Sequence, residues 1–539
     1  MSAVNYSKIS ILVADDFSSF RNTINGMLTN LGVQSLEMAS NAGDTIKWCE
    51  SRAFDVVLCD YNLGTGRTGQ HVLEELRHRR LITRQTLFII VSAEASRNIV
   101  MCSYDCEPDD YLMKPITARM LQQRIERLLL QRSVMSTALK ALDTRDYGAA
   151  VDELVDLAAG ESRYSGIAQK ILGTVFLEMG EFDKAERLYT RALEARQLDW
   201  ARLGLAKVKQ ARGEFDVAGA WLEKIVEDNP LYLPAYDTLA DNWERRGERF
   251  NVQYTVQRAV DISPMSILRQ KQLAAVAADN SDYLTAVDAQ RKVVKLGHYS
   301  CFGRPEDHFS FARYVSTARE RELDVDPGAG NEALAVLDQA KEVYPLSAVQ
   351  LAQCNLLTGR LHAVEKREDI ALQFLGAAAE NLEHEEADIT VELDRLQMLQ
   401  ALGRHQDAEQ LLKDLQQRFA NDQAALEKLD VFLNEPASAS NREFVAEINR
   451  EGIGLYNNGQ YDEALACFEK ARKLFPKHVG IQLNIVQSLI GKLKLGDDDD
   501  LLSRECRSSL ELVSSLINDQ HPQYSRFKKL QTMAMTYEH

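Results

Sequence analysis

ISILVADD (residues 9–16) and FDVVLCD (residues 54–60) are apolar runs that each stop on a carboxylate. An unbroken apolar run of this length is the signature of a strand buried on both faces. After the first run, FSSFRNTINGMLTNLG sets Phe20, Ile24 and Leu28 at helical spacing and stops at Gly32. VQSLEMA then reads as a strand and NAGDTIKWCESR as a helix. Beyond the second run come GQHVLEELRHRR (helix), LFIIVSA (strand) and SRNIVMCSYDC (helix). DYLMKP is a short strand and ITARMLQQRIERLLLQR a closing helix. Strands alternating with helices predict a doubly wound α/β layer, with parallel strands and helices on both faces. Ligands of such sheets bind at the carboxyl ends of the strands. Asp15, Asp16, Asp60, Ser92 and Lys114 all fall there.

The chemistry needs these residue types. Three crowded carboxylates repel one another unless a hard cation such as Mg²⁺ neutralises them. A carboxylate can also attack phosphorus to give an aspartyl phosphate. The charge on the phosphoryl oxygens then calls for a metal, a Lys and a hydroxyl donor.

VADD, VVLCDYN, IIVSAEAS and YLMKPI, in this order and spacing, resemble the receiver domain of bacterial response regulators, most nearly its CheY-like form, over about residues 8–130. The resemblance implies a flavodoxin-like fold with Asp60 as phosphoacceptor. It implies Mg²⁺ held by Asp16, Asp60 and the Asn62 carbonyl, with Asp15 acting through metal-bound water. Lys114 and Ser92 would bind the phosphoryl oxygens, and Tyr111 would be the switch aromatic. Pro115 matches the Lys-Pro of the family, which often carries a cis bond. Asn62 and Glu94 stand two residues beyond Asp60 and Ser92, where side chains tune water access to the acyl phosphate. The loop YNLGTGRTGQ is a couple of residues longer than the common pattern. The basic cluster Arg77, His78, Arg79, Arg80 and Arg84 reads as a solvated helix end, where positive charge complements the dipole.

Past Gln131 the strand patterns vanish and a repeat sets in. QKILGTVFLEMGEFDKAERLYTRAL carries Gly173, Phe176, Gly180, Ala185, Tyr189 and Ala192. The next units carry Ala206, Gly213, Ala218, Leu222 and Pro230, then Ala240, Trp243, Gly247, Ala259 and Pro264, then Ala274, Tyr283 and Ala286. Gly213 to Gly247 and Pro230 to Pro264 are both 34 residues. Small residues let antiparallel helices approach, Gly permits the turn between them, and proline ends the second helix. The pattern resembles the tetratricopeptide repeat, which implies an all-α helical solenoid with a concave surface that binds proteins. EGIGLYNNGQYDEALACFEKARKLFP is a further strong unit, with Gly452, Gly459, Ala464, Phe468, Ala471 and Pro476. NEALAVLDQAKEVYP and LQALGRHQDAEQLLKDL are weaker ones, CFGRPEDHFSFARYVSTARERELDVDPGAG is an interruption, either an irregular insert or a boundary, and residues 430–442 are a linker. The division expected is 1–131 receiver, 132–300 repeats, 301–430 degenerate repeats, and 431–539 a C-terminal repeat with further helices.

Composition excludes several classes. Residues 1–130 hold 14 Lys and Arg against 15 Asp and Glu, so nearly all of the net charge of −17 lies beyond them. A region this acidic is a poor partner for a phosphate backbone, so no nucleic acid is expected. No apolar run approaches the ~20 residues that span a bilayer, so no membrane contact and a cytoplasmic location are expected. The eight cysteines are scattered, without metal spacing, and read as reduced thiols. GDDDD, ending at Asp500, fits no EF-hand and reads as a solvated loop. No catalytic motif stands out, so the chain is not expected to be an enzyme.

Two functions follow. The first is a phosphorylation-controlled interaction protein served by a sensor histidine kinase or phosphotransfer protein, with a protein partner in the repeat groove. The second is an inhibitor or phosphate sink that limits transfer from a kinase to another regulator. On either, Asn62 and Glu94 match in type those of fast-cycling chemotaxis-type receivers, and that resemblance implies an aspartyl phosphate that decays in seconds to minutes after donor removal. Dephosphorylation followed by intact mass measures this, and a lifetime of many hours would contradict it.

Overall fold

A computed structural model describes residues 4–64, 66–93, 107–433, 435–494, 500–519 and 521–535. Its five strands are β1 (Ser10–Ala14), β2 (Ser35–Ala39), β3 (Val56–Asp60), β4 (Leu87–Ser92) and β5 (Asp110–Met113). All four pairings are parallel, in the order β2-β1-β3-β4-β5. Helices α1 (Ser18–Asn30), α2 (Ala42–Ser51), α3 (Gly69–His78) and α4 (Ala118–Val134) cover the sheet. The alternation along each strand decides which helices it meets. Ile11, Val13, Val56, Leu58, Leu87 and Ile89 pack with Ile24, Leu28, Leu121 and Ile125 of α1 and α4. Leu12, Val57, Cys59, Phe88 and Ile90 face the other way, onto Ile46, Leu73 and Leu76 of α2 and α3. The helix expected over SRNIVMCSYDC, with Cys102 and Cys106, lies outside the described residues, as do Glu94 and the acidic run before Asp500. The six described cysteines are free. No helix of the described residues is long and apolar enough to cross a membrane.

Met135 alone separates α4 from α5 (Ser136–Asp143), so the sheet domain runs almost directly into the helices that follow. These are α6 (Tyr147–Ala159), α7 (Ser165–Glu178), α8 (Phe182–Ala195), α9 (Asp199–Ala211), α10 (Phe215–Asp228), α11 (Leu233–Arg245), α12 (Arg249–Ile262), α13 (Ile267–Asp279), α14 (Tyr283–Gly297), α15 (Pro305–Glu320) and α16 (Ala329–Val343). The short turns between them make antiparallel pairs. The turn glycines Gly180, Gly213 and Gly247 have φ of 75°, 80° and 73°. The fourth unit has no glycine there, and Ser281 adopts the same left-handed conformation (φ 63°). The small positions are set by an aromatic: a Cβ at Gly173 or Gly204 would lie 2.5 or 2.3 Å from Tyr189 ring atoms. Gly452 stands to Phe468 in the same way, at 2.6 Å.

The chain packs as two compact units, Met1–Ala340 and Lys341–His539. The second contains α17 (Ala348–Val364), α18 (Glu368–Asn381), α19 (Ile389–Ala401), α20 (His405–Arg418), α21 (Gln423–Leu433), α22 (Ala439–Asn457), α23 (Tyr461–Leu474), α24 (Val479–Lys494), α25 (Asp500–Leu516) and α26 (Tyr524–Met535). Two readings of the sequence are corrected here. The stretch read as an irregular interruption contains α15, which opens with Pro305 and with Asp307 accepting the Arg304 N–H at 2.8 Å. The linker placed over 430–442 shrinks to the few residues between α21 and α22, where buried Asp430 accepts from the Ser438 N–H and hydroxyl.

Tyr189 wedged between two glycines gives a direct test. Gly204→Ala is expected to lower stability by about 1–3 kcal/mol in thermal unfolding, because the added methyl meets a ring with nowhere to go. Gly376→Ala, at a helical position with nothing within 4 Å, is expected to stabilise by roughly 0.5–1 kcal/mol. Equal effects at the two positions would contradict the packing.

Candidate functional site

Backbone hydrogen bonds carry the sheet one residue past its strands and thereby fix the site. The Asp15 N–H donates to the Ala39 carbonyl at 3.2 Å, Tyr61 to Val91 at 2.7 Å, and Lys114 to Ser92 at 2.8 Å. Asp60 and Asp15 are buried, and Lys114 reaches both: its Nζ lies 2.7 Å from Asp15 Oδ2 and 2.9 Å from Asp60 Oδ2. The Phe20 ring centroid lies 4.1 Å from the same ammonium and holds its approach. The other Asp15 oxygen accepts the Phe17 N–H at 2.8 Å, and Arg21 Nη1 donates to the Asp15 carbonyl at 2.5 Å. The Lys114–Pro115 peptide bond is cis, in keeping with the Lys-Pro of the resemblance.

Burial pushes the Asp60 carboxyl up to about 6, against the opposing hydrogen bond and charge of Lys114; the neighbouring Asp15 adds to the rise. Burial also pulls the Lys114 ammonium down, but its hydrogen bonds to Asp15 and Asp60 outweigh this and hold it above the ordinary lysine value. One oxygen from each of Asp15, Asp16 and Asp60 lies within 4.8 Å of the others. Asp16 Oδ1 is buried with no hydrogen-bond partner. An all-oxygen cluster with an orphaned acceptor fits a hard divalent cation.

The remaining expected residues lie on or just beyond the same strands. Ser92 is buried at the end of β4, opposite Met113. Tyr111 pairs with Ile90 on β5 and packs, half-buried, against the cluster holding Phe88 and Ile90. Asn62 is exposed and forms a lone bridge with Thr68 across the loop. Thr68 and His71 cap α3 reciprocally, the Thr68 N–H donating to His71 Nδ1 at 3.0 Å, and burial lowers the His71 pKa.

Some contributors were not read from the sequence. Helical spacing marks Phe20 only as helix core and gives Arg21 no role; their place on the first turn of α1, a few residues after the Asp pair, is the available signal. Gly69 is the closest approach: a Cβ there would lie 2.3 Å from the Asp60 carbonyl oxygen, so α3 starts against the backbone of Asp60. The basic cluster is not a bare helix end. Arg77 donates to the Glu107 carbonyl at 2.6 Å, Arg79 pairs with Glu50 and Glu75, and Arg84 with Asp143.

Residues 11–126 match the response regulator receiver domain family, and residues 176–241 and 446–478 match tetratricopeptide repeat families. The chain thus carries a receiver domain followed by a tetratricopeptide repeat region, and the receiver domain ties it to two-component signalling. It is 29% identical over 120 residues to the chemotaxis protein CheY of Pseudomonas aeruginosa, a match covering 22% of this chain and 95% of that protein. It is 25% identical over 128 residues to CheY-3 of Vibrio cholerae, covering 24% of this chain and 97% of that protein. Among solved structures, a CheY-like receiver domain protein of Methanospirillum hungatei is 26% identical, with a TM-score of 0.22, over 23% of this chain and 96% of its own.

The raised Asp60 pKa has a stability consequence. A carboxyl raised above its unfolded value contributes fully below about pH 4, and the contribution is lost as pH rises through about 6. In the presence of a chelator, Asp60→Asn is therefore expected to be more stable than the wild type at pH 7.5, by about 1–3 kcal/mol. The gap should close by pH 4, and thermal unfolding across this range measures it. A gap that stays constant with pH would contradict the burial argument.

Proposed function

We propose that the protein is a response regulator phosphorylated on Asp60 by a sensor histidine kinase or phosphotransfer protein, with its output carried by protein–protein contacts of the repeat region. The observation that carries this reading is the Lys114 ammonium bridging Asp15 and Asp60, beside the orphaned Asp16 oxygen. Mg²⁺ would be held by Asp16, Asp60 and the Asn62 carbonyl, with Asp15 acting through water. When bound, it neutralises the carboxylates and the incoming phosphoryl oxygens.

The chain's own groups account for the rest. Above about pH 6 Asp60 is ionised and nucleophilic. One of its oxygens attacks phosphorus; the new P–O bond forms as the P–N bond to the kinase histidine breaks, and the leaving imidazole takes a proton from solvent. Lys114 shifts from bridging two carboxylates to holding a phosphoryl oxygen, and the Ser92 hydroxyl donates to another. Movement of Ser92 draws Tyr111 inward along β5. We assign residues 1–131 to the receiver, 132–300 and 301–430 to the repeats, and 431–539 to the C-terminal repeat with its flanking helices.

Acetyl phosphate with Mg²⁺ is expected to add one phosphoryl group to the full chain by intact mass, and none to Asp60→Asn. Lys114→Ala should slow labelling by ~10²-fold, the loss of one preorganised donor. Labelling of Asp60→Asn to the same extent as wild type would overturn the assignment.

A further inference from the structure

The connection between α14 and α15 is a strap, residues 298–304, with the sequence HYSCFGR. It is tied to the repeat helices. Lys271 Nζ donates to the Phe302 carbonyl at 2.7 Å and pairs with Asp307 at 2.8 Å. Gly303 lies so close to Gly297 that a Cβ at 303 would sit 2.1 Å from the Gly297 carbonyl oxygen, so the strap is a fixed turn.

Its other face meets the receiver. The Ser300 hydroxyl donates to Glu74 Oε2 at 3.1 Å across 226 residues of sequence. The Phe302 ring packs edge-on against His78 with centroids 5.6 Å apart, and Tyr299 lies 6.4 Å from His71. His71, Glu74 and His78 are spaced i, i+3 and i+7, so one face of α3 reads along the strap. Tyr299 also reaches the loop after Asp60, where a Cβ at Gly66 would lie 3.3 Å from its ring. At its far end the same helix begins against the Asp60 carbonyl, with the Gly69 N–H bonded to the Tyr61 carbonyl at 2.8 Å. An open cleft of about 630 Å³, lined by Gln70, Glu74, His78, Leu268 and Phe302, lies beside this contact.

We propose that the His71–Glu74–His78 face of α3 is an interaction surface whose partner is the chain's own strap, residues 298–304, and that this contact transmits the state of Asp60 to the repeats. The proposal rests on the reading of Asp60 as phosphoacceptor and adds the route by which its state leaves the receiver. A shift of the Asp60 backbone moves the start of α3, because no Cβ separates them. The strap is in direct contact with that face of α3, and the Lys271 anchor ties it to α13.

The test is hydrogen–deuterium exchange of the full chain, with and without acetyl phosphate and Mg²⁺, with labelling read separately by intact mass. Labelling accompanied by about fivefold or more faster exchange of peptides spanning 298–305, the low end of allosteric coupling factors, supports the proposal. Tyr299→Ala should then exchange fast at the strap in both states while still being labelled, and Tyr299→Phe should behave as wild type. Labelling with unchanged strap exchange overturns the coupling and leaves the phosphoacceptor reading standing. Failure of the wild type to label at all overturns both.

Discussion

Two buried carboxylates side by side are tolerated only with a cation between them, and Lys114 supplies it by reaching Asp15 and Asp60 at once. The rest of the N-terminal domain is arranged so that this meeting occurs. Strand order puts β1 beside β3 and β3 beside β4, and β5 delivers Lys114 from the far side of β4. Asp15, Tyr61 and Lys114 are each pinned by a backbone bond to the neighbouring strand. Apolar residues on both faces make the sheet rigid, so position is governed by register and little by side-chain freedom. The bridge is also a stored imbalance: Lys114 satisfies Asp15 and Asp60 but leaves Asp16 Oδ1 unpartnered. A hard divalent cation at the cluster would give Asp16 Oδ1 a partner.

The repeat region answers a different constraint. A helix pair buries its apolar stripe only by stacking on the next pair. Tyr189 shows how closely: its ring occupies the space that side chains at Gly173 and Gly204 would need, joining α7, α8 and α9. The 34-residue spacing reflects this demand recurring. Where the pattern weakens, after α14, the chain instead spends residues 298–304 on a turn that leaves the solenoid surface and meets the receiver. Loss of repeat consensus and gain of a contact therefore coincide in one segment.

Much of this was legible in the residues. Carboxylates at strand ends, a Lys after a short strand and apolar runs without alternation carry the fold and the acidic cluster with little ambiguity. The turn glycines and the small–aromatic pairs likewise declare the helix hairpins. What escaped was of two kinds. Long-range contacts leave no periodic mark: nothing near Tyr299 points to Gly66 or His71, because packing between distant segments has no fixed spacing. Tertiary burial also overrode local appearance. The stretch around α15 departs from the repeat pattern, yet Phe309, Phe311, Ala312 and Val315 are all buried and hold it helical. The left-handed turn at Ser281 was hidden for a related reason, since the neighbouring hairpins impose on it the conformation that glycine adopts freely.

The claim on which the account turns is that Asp60, among three adjacent carboxylates, is the one that becomes an acyl phosphate. Borohydride reduces an aspartyl phosphate to homoserine, so trapping after treatment with acetyl phosphate and Mg²⁺, followed by peptide mapping, reports the residue itself. The account predicts homoserine at position 60 and unmodified Asp15 and Asp16. Homoserine at position 15 or 16, or a labelled chain whose phosphoryl group maps outside the cluster, would contradict it.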